Sequence, residues 1–246
     1  MNLIDTHAHL DEIKDIEEAL DRAQEAGIRA IVGVGADLAS NEKILEIANQ
    51  YAGFVFPALG IHPWRLNTDD LEANLSLIKR ELLGCIALGE IGLDFAIATP
   101  RDQQIEVLQT LLEVACRQKK PVLLHARRAW AEALDLLKTL QVEKAVFHWY
   151  SGPSDVLKEL FKQGYFISAT PAAAYSERHR RAIQAAPMNQ LLLETDAPEA
   201  YRGKPSEPAD LLTTLQAVSE LKSQDPRKVA DQTFLNACSF FQLNLP

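Results

Sequence analysis

Six potential metal ligands are spread along the chain, and each lies at or just after a short apolar stretch. They are four histidines and two acidic residues, His7, His9, Glu90, His125, His148 and Asp196. Imidazole nitrogens and carboxylate oxygens suit zinc, manganese or iron, and no cysteine accompanies them. Six ligands are too many for one catalytic ion that keeps an open position. They predict two divalent ions about 3.5–4 Å apart, bridged by a carboxylate and by water or hydroxide.

The positions of these residues suggest different roles. His7 and His9 are two residues apart, so on a strand their side chains leave the same face. Glu90 lies near the middle of the strand order and is the best candidate for the bridging carboxylate. A water that bridges two cations has a lowered pKa and is a strong nucleophile near neutral pH. Asp196 could accept its proton while also contacting one ion.

Eight short runs of β-branched residues and leucine alternate with amphipathic stretches. The candidate strands are residues 2–7, 29–34, 54–59, 84–89, 121–125, 143–148, 164–168 and 189–194. Between them, apolar residues recur with the spacing of helices that bury one face, as in Ile16, Ala19, Leu20 and Ala23. One strand–helix unit takes about 27 residues, close to its share in an eight-fold barrel of ~250 residues.

This alternation predicts a parallel sheet and favours a single α/β domain over residues 1–246, a TIM-type (β/α)8 barrel. An open doubly wound sheet is the alternative, but no GxGxxG follows any of the eight strands. In a barrel of this type, active-site residues lie at the carboxyl ends of the strands. Five of the six histidines, together with Glu90 and Asp196, fall at or just past predicted strand ends. The polar residues therefore point to one common site.

Composition excludes several other classes of protein. A chain of 246 residues with 47% hydrophobic and 24% charged residues is ordinary for a globular protein. It has neither a long apolar stretch nor a signal-peptide pattern, so we expect no membrane association and a cytoplasmic location. Three scattered cysteines without CxxC argue against a disulfide framework. The net charge of −9 disfavours non-specific binding to duplex nucleic acid, although bound cations can invert the field of a carboxylate-lined site.

Four further residues are candidates for supporting roles. Asp5 and Glu194 are interpreted as buried, hydrogen-bonded carboxylates that orient the ligands. His62 is equally compatible with a substrate contact and with a role in loop structure. His179 lies among arginines and is interpreted as part of a solvated helix face, with steering of a phosphate group as the alternative.

The motifs along the chain resemble those of the TatD-type metal-dependent hydrolases of the amidohydrolase superfamily, also called TatD DNases. The matching motifs are Asp5-Thr6-His7-Ala8-His9-Leu10, Gly60-Ile61-His62-Pro63, Gly89-Glu90-Ile91-Gly92-Leu93-Asp94, Pro121-Val122-Leu123-Leu124-His125, His148 with Ser151-Gly152, and Glu194-Thr195-Asp196-Ala197-Pro198. Their order and spacing follow the family over essentially the whole chain. The combination is specific, although each motif alone is not.

The resemblance implies a distorted eight-stranded TIM barrel that holds two divalent metal ions, which would be zinc, manganese or magnesium. The ligands it implies are His7, His9, Glu90 and Asp196 for one ion, and Glu90, His125 and His148 for the other. Family members hydrolyse phosphodiester bonds of DNA, often as 3′ exonucleases or at abasic sites. Some relatives instead remove D-amino acids from tRNA, so the resemblance narrows the chemistry more than the substrate.

The chain also departs from the family pattern near the site. Trp149 and Tyr150 follow His148, where the family often has Cys-Phe. Two large aromatic residues at the mouth could stack on the bases of a single strand, or could simply pack as a rim. Ser206 stands where the family usually has Asn, and Phe95 stands where Tyr is common. These changes leave the metal ligands intact. They weaken the inference that this protein shares the substrate preference of the family.

The leading hypothesis is a two-metal phosphodiesterase that acts on single-stranded or 3′-end DNA. No obligate protein partner can be read from the sequence. The candidate substrate contacts are His62, Arg65, Arg128, Trp149 and Arg202, with Arg127 and Lys204 also in predicted loops after strands. The first alternative is an aminoacyl-tRNA deacylase or a small-molecule amidohydrolase that uses the same dinuclear site. A metal-bound barrel without catalysis is a third possibility, which the intact set of ligands disfavours.

Overall fold

Strands and helices alternate along the chain in the computed structural model, which describes residues 1–66 and 69–245. Eight parallel strands pair in sequence order from the first to the eighth. They are β1 (Leu3–Ala8), β2 (Ile28–Val34), β3 (Val55–Leu59), β4 (Ala87–Asp94), β5 (Val122–Arg127), β6 (Ala145–Phe147), β7 (Phe166–Ala169) and β8 (Leu191–Leu193). A short antiparallel pair follows, formed by β9 (Ala200–Tyr201) and β10 (Lys204–Pro205).

Helices connect the strands and cover them. The α-helices are α1 (Ile16–Glu25), α2 (Leu38–Gln50), α3 (Leu71–Glu81), α4 (Arg101–Gln118), α5 (Trp130–Thr139), α6 (Ser154–Lys162), α7 (Glu177–Ala185), α8 (Leu211–Lys222) and α9 (Pro226–Phe241). Short 3-10 helices lie at Leu10–Glu12, Pro63–Arg65, Leu82–Gly84, Pro171–Ala174, Met188–Gln190 and Pro208–Asp210. Among the described residues, no helix has both the length and the apolar character that crossing a membrane requires.

The first strand and the segment after the eighth strand close the sheet into a barrel. The backbone N–H of Asp196 donates to the carbonyl of His7 at 2.9 Å, and that of His9 donates to the carbonyl of Ala197 at 2.7 Å. Closure therefore brings the first and last segments of the predicted site together. The predicted TIM-type barrel is confirmed, and the open doubly wound sheet is excluded.

The barrel interior is packed with side chains and is sealed at the amino-terminal ends of the strands. Its apolar core is formed by Ile4, Ala30, Val32, Val34, Ala58, Ala87, Leu123, Val146 and Leu192. Phe240 and Phe241 of α9 pack against this core. Lys144, just before β6, donates to the carbonyl of Phe240 at 3.2 Å and so ties α9 to that end. Only the carboxyl ends of the strands remain available for a site, as in other barrels of this type.

The fourth strand differs from its prediction. All eight predicted strands are found within a few residues of their expected positions, but β4 continues past residue 89 to Asp94. Glu90 therefore lies inside the strand, and the expectation that it closes the strand is wrong. The pairing of β4 with β5 shifts register between Leu88 and Ile91, and Gly92 has a φ of 152°. A local irregularity of this kind redirects side chains, which a strict two-residue alternation does not anticipate.

Gly60, directly after β3, is a point of very close approach to β4. A Cβ atom at this position would lie 2.2 Å from the carbonyl oxygen and 2.5 Å from the backbone nitrogen of Glu90. These are backbone atoms, so they cannot rotate aside as a flexible side chain would. Asn41 fixes the same point by accepting from the Gly60 N–H at 3.0 Å and donating to its carbonyl at 2.8 Å. The absence of a side chain at Gly60 therefore allows Glu90 to occupy its position.

We expect Gly60→Ala to destabilise the protein by about 1–3 kcal/mol, because the added methyl group must displace β4. Urea unfolding measures the loss. Gly84→Ala is the matched control, since a Cβ atom there meets nothing within 4 Å and should leave the free energy of unfolding nearly unchanged. Equal free energies of unfolding for the two variants would show that β4 can move away from position 60 without loss of stability.

His179 is buried in α7, so its interpretation as part of a solvated helix face is wrong. Its Nδ1 lies 2.8 Å from the carbonyl oxygen of Tyr150, and its Nε2 accepts from the backbone N–H of Thr170 at 3.1 Å. One nitrogen therefore donates and the other accepts, which is the pattern of a neutral imidazole. Burial lowers the pKa of His179 to about 4. The residue joins α7 to the segments after β6 and β7.

This burial predicts a pH-dependent contribution to stability. Because the pKa is lowered in the folded state, the unfolded chain binds more protons between pH 4 and 6.5, and stability falls as the pH falls through that window. The contribution of His179 should be about 1.4 kcal/mol per pH unit near the middle of the window. His179→Gln removes the titrating group, so its free energy of unfolding should fall less steeply below pH 6.5. Urea unfolding at a series of pH values checks this, and parallel curves for the two proteins would contradict it.

Candidate active site

The carboxyl ends of the strands surround a cavity of about 750 Å³. Its lining includes most of the residues predicted from the sequence, namely His9, His62, Arg65, Glu90, His125, His148, Trp149 and Asp196. His7 is fully buried, and its Nε2 lies 3.4 Å from Glu90 Oε2. The structure therefore brings all six predicted metal ligands together at one end of the barrel.

Glu90 divides the histidines into two groups, one for each of its oxygens. Its Oε2 lies 3.4 Å from His7 Nε2 and 3.3 Å from His9 Nε2. Its Oε1 lies 3.0 Å from His125 Nδ1 and 2.9 Å from His148 Nε2. Burial opposes ionisation of the carboxyl group, but the charges of surrounding histidines hold the pKa of Glu90 well below its usual value. One carboxylate thus faces both halves of the site.

Asp196 completes the first of these groups. Its Oδ1 lies 3.5 Å from His7 Nε2 and 3.6 Å from His9 Nε2. The residue has a φ of 55°, in the left-handed region that few side chains adopt. Its backbone bond to His7 at the barrel seam holds it there. Burial, reinforced by the charge of Glu90, raises the pKa of Asp196 despite the nearby histidines.

The donor atoms in this arrangement fit divalent metal ions. Ligand atoms of His7, His9 and Asp196 all lie within 4.8 Å of one another. Neither ring nitrogen of His7 has a hydrogen-bond partner in the described part of the chain, although both are buried. Buried polar atoms without partners are costly, and a bound cation would satisfy them. Imidazole nitrogens and carboxylate oxygens are also the donors that zinc and manganese prefer.

Glu194 and Asp5 are buried and hydrogen-bonded, as the sequence predicts. Glu194 Oε1 lies 3.4 Å from His148 Nδ1 and accepts from the backbone N–H of Trp149 at 3.0 Å, so His148 presents its other nitrogen to the site. Asp5 accepts from the hydroxyl of Thr195 at 2.5 Å and from its N–H at 3.0 Å. Burial raises the pKa of Asp5 to about 8 despite these bonds. Both carboxyl groups position segments that carry ligands.

His62 has the geometry of a hydrogen-bond donor to the site. Its Nδ1 accepts from the backbone N–H of Trp64 at 3.2 Å, and its Nε2 lies 3.5 Å from Glu90 Oε1. Burial lowers the pKa of His62 to about 4, so the ring is neutral near pH 7. A neutral ring that accepts at Nδ1 carries its proton at Nε2. His62 is therefore suited to donate to an oxygen in the cavity. Its ligand atom also lies within 4.8 Å of those of Glu90 and His125, so these three side chains form a further group that could hold a metal ion.

Asp94 is a functional candidate that the sequence reasoning missed. It is buried, and its Oδ2 accepts from Trp64 Nε1 at 2.6 Å and from a terminal nitrogen of Arg127 at 2.9 Å. The same oxygen lies 3.5 Å from His125 Nε2. Burial opposes ionisation, but hydrogen bonds from His125, Arg127 and Trp64 hold the pKa of Asp94 far below its usual value. The spacing in the sequence could have indicated this role. Asp94 follows Glu90 by four residues, so on a β4 that continues past Glu90 both side chains leave the same face of the strand.

The predicted substrate contacts are only partly gathered at the cavity. Among the described residues, Arg65, Arg127 and Trp149 line it, whereas Arg128 and Arg202 do not. Arg127 ends β5 beside the site, while Arg128 has a φ of 56° and begins the turn to α5. The guanidinium of Arg202 lies over the ring of Tyr175 at 4.7 Å. The roles of Arg128 and Arg202 in substrate binding stay predictions.

Comparison with known proteins agrees with this geometry. The family described as TatD related DNase matches residues 4–242. The human deoxyribonuclease TATDN3 is 29% identical over 98% of this chain and 95% of its own length. The 3′-5′ ssDNA/RNA exonuclease TatD of Erwinia amylovora is 30% identical over 94% of this chain and 95% of its own length. The crystal structure of the TatD homologue YJJV from Escherichia coli superimposes with a TM-score of 0.90 at 29% identity and covers 98% of both chains.

The match spans nearly the whole chain, and the barrel carries its acidic and histidine side chains at the end where such enzymes place their sites. The chain therefore belongs to the TatD related DNase family and is a metal-dependent hydrolase.

Proposed function

We propose that this protein is a deoxyribonuclease that hydrolyses phosphodiester bonds in single-stranded or 3′-end DNA, with residues 1–246 acting as one domain. The observation that carries the proposal is the placement of Glu90, whose two oxygens face two separate groups of ligands. Two-metal sites of this kind suit displacement at phosphorus, where charge develops on several oxygens at once. The names of the two relatives, a deoxyribonuclease and an exonuclease of single-stranded DNA and RNA, support the choice of substrate.

The proposed ligands of one ion are His7, His9, Glu90 and Asp196, and those of the other are Glu90, His125 and His148. The ions would supply Lewis acidity and a lowered pKa for water at the site. Glu194 holds His148 by its Nδ1 atom, and Asp94 lies against the far nitrogen of His125. Such outer partners fix ring orientation and make the ligands ready to bind.

Other side chains would handle the substrate and its protons. Asp196 is a carboxylate at the cavity, opposite His7 and His9, so it is suited to accept a proton from the attacking water. The Nε2–H of His62 would donate to a non-bridging phosphate oxygen. Arg65 and Trp149 at the cavity wall would contact the flanking nucleotides, and Arg128 and Arg202 stay candidates for more distant phosphates.

The first test is cleavage of end-labelled single-stranded DNA after chelation, with Mg²⁺, Mn²⁺ or Zn²⁺ added back. We expect metal-dependent cleavage that Glu90→Gln abolishes, because the variant loses the carboxylate shared by both groups of ligands. Elemental analysis should show less bound metal in the same variant. Glu106→Gln, which removes an exposed carboxylate on α4, is the control and should retain activity.

A D-aminoacyl-tRNA and the labelled DNA should be assayed side by side in this experiment. Turnover of the aminoacyl ester alone, by protein that binds metal, would reject the deoxyribonuclease and favour a deacylase with the same site.

Asp196→Asn tests the proposed base. We expect the rate constant kcat to fall by about 10²- to 10⁴-fold, because general-base catalysis typically contributes that much. Glu199→Gln, a neighbouring acid at the cavity, is the matched control and should stay within a few-fold of the native kcat. Single-turnover cleavage at saturating DNA measures both. An Asp196→Asn protein that retains its metal and cleaves at the native rate would remove Asp196 from the mechanism.

A further inference from the structure

The chain has three tryptophans, and all three line the cavity. They are Trp64 after β3, Trp130 at the start of α5 and Trp149 after β6. They come from separate segments of the barrel and stand around the same opening as the ligand groups. Each tryptophan follows a strand of the barrel, so closure of the barrel gathers all three at the carboxyl ends of the strands.

Trp64 is held by contacts at its edge and over its ring, and more than half of the residue is still exposed. Its Nε1 donates to Asp94 at 2.6 Å, and the guanidinium of Arg127 lies 5.5 Å from the ring centroid. Trp64 is nevertheless 57% exposed, which is a high value for a tryptophan. The bond to a buried carboxylate fixes the ring while most of the residue stays accessible. An indole held in this way is a preorganised surface for a flat ligand.

Trp130 and Trp149 are also fixed by specific contacts. A Cβ atom at Gly152 would lie 2.6 Å from Trp130 Cδ2, so the ring packs directly on that glycine. Trp149 has a φ of 42°, an unfavourable conformation for a bulky residue. Its N–H bond to Glu194 and its ring contact with Tyr201, at 5.5 Å between centroids, maintain that conformation. Strain of this kind persists where the surroundings impose it, and it turns Trp149 toward the cavity wall.

Cations around the cavity are already engaged by acids. Arg127 lies 2.9 Å from Asp94 Oδ2, and Arg65 Nε lies 3.4 Å from Asp37. Glu12 is a further acid on the same wall. The positive charge of each guanidinium is thus partly offset by a neighbouring carboxylate, which reduces the net attraction of the cavity wall for phosphates. Aromatic stacking on bases is the other main source of affinity for single strands.

We propose that Trp64, Trp130 and Trp149 form a stacking clamp that binds unpaired bases next to the bond to be cleaved. The clamp selects strands whose bases are present and free of pairing, because a base inside a duplex cannot offer its face to an indole ring. This inference rests on the proposed function and specifies its substrate class: intact single-stranded ends are bound in preference to abasic or paired ones.

Tryptophan fluorescence tests the clamp directly, because every tryptophan of the chain is at the cavity. The metal-loaded full-length protein is titrated with a tetradeoxyadenylate and with a tetramer of tetrahydrofuran abasic residues, both made with phosphorothioate linkages that resist cleavage. We expect quenching by the first oligonucleotide with a Kd at least tenfold lower than that for the second. Equal affinity for both, or no quenching by either, would overturn the proposal.

Single substitutions assign the effect to individual rings. Trp64→Ala, Trp130→Ala and Trp149→Ala should each weaken binding of the tetradeoxyadenylate about fivefold to a hundredfold, read from the remaining tryptophans. The corresponding Phe variants keep a stacking surface and should recover most of the affinity. Leu235→Ala, which removes an exposed apolar side chain on α9, should bind like the native protein. Alanine variants that fold and bind normally would overturn the clamp.

A cleavage assay with Mn²⁺ and the phosphodiester forms of the same two oligonucleotides separates this proposal from the proposed function. Equal cleavage of both would retain the phosphodiesterase and reject the clamp. Base-selective binding without cleavage of either would retain the clamp and reject the deoxyribonuclease.

Discussion

The ionised carboxylate of Glu90, buried among histidines, is the interaction on which the site depends. Burying a charge without partners costs far more than a protein of ordinary stability can tolerate. The four imidazoles within 2.9–3.4 Å of its oxygens offset that cost and at the same time become two groups of potential ligands. The position of Glu90 also constrains the neighbouring strand. The backbone of β4 passes so close to the segment after β3 that only glycine fits at position 60.

Closure of the barrel is coupled to assembly of this site. The seam between β1 and the segment after β8 is held by backbone bonds of His7 and His9, and by the buried bonds that Thr195 donates to Asp5. The same contacts place Asp196 opposite the two histidines. Any opening of the seam would therefore separate the first group of ligands, so the stability of the fold and the geometry of the site depend on the same hydrogen bonds.

The two ends of the barrel have different roles. Phe240 and Phe241 of α9 seal the amino-terminal end with apolar side chains, which contributes to stability and offers no chemistry. At the other end, polar ligands lie at the base of an open cavity whose walls carry aromatic rings. Asp94 connects the ligands at the base of this cavity with its wall. Its carboxylate contacts His125 at the base and fixes Trp64 and Arg127 at the wall.

Three features could be predicted from the amino-acid sequence: the alternation of strands and helices, the order of the ligands and their gathering at one end of the barrel. These follow from short-range rules: hydrophobic periodicity identifies each element, and parallel strands in a barrel present their carboxyl ends together. Three other features emerged from the folded barrel: β4 runs past Glu90, Arg127 rather than Arg128 lines the cavity, and His179 is buried. Each of these depends on a backbone irregularity or on contacts between residues far apart in the chain. Such contacts leave no periodic trace in the sequence, because they are set by how the closed barrel packs.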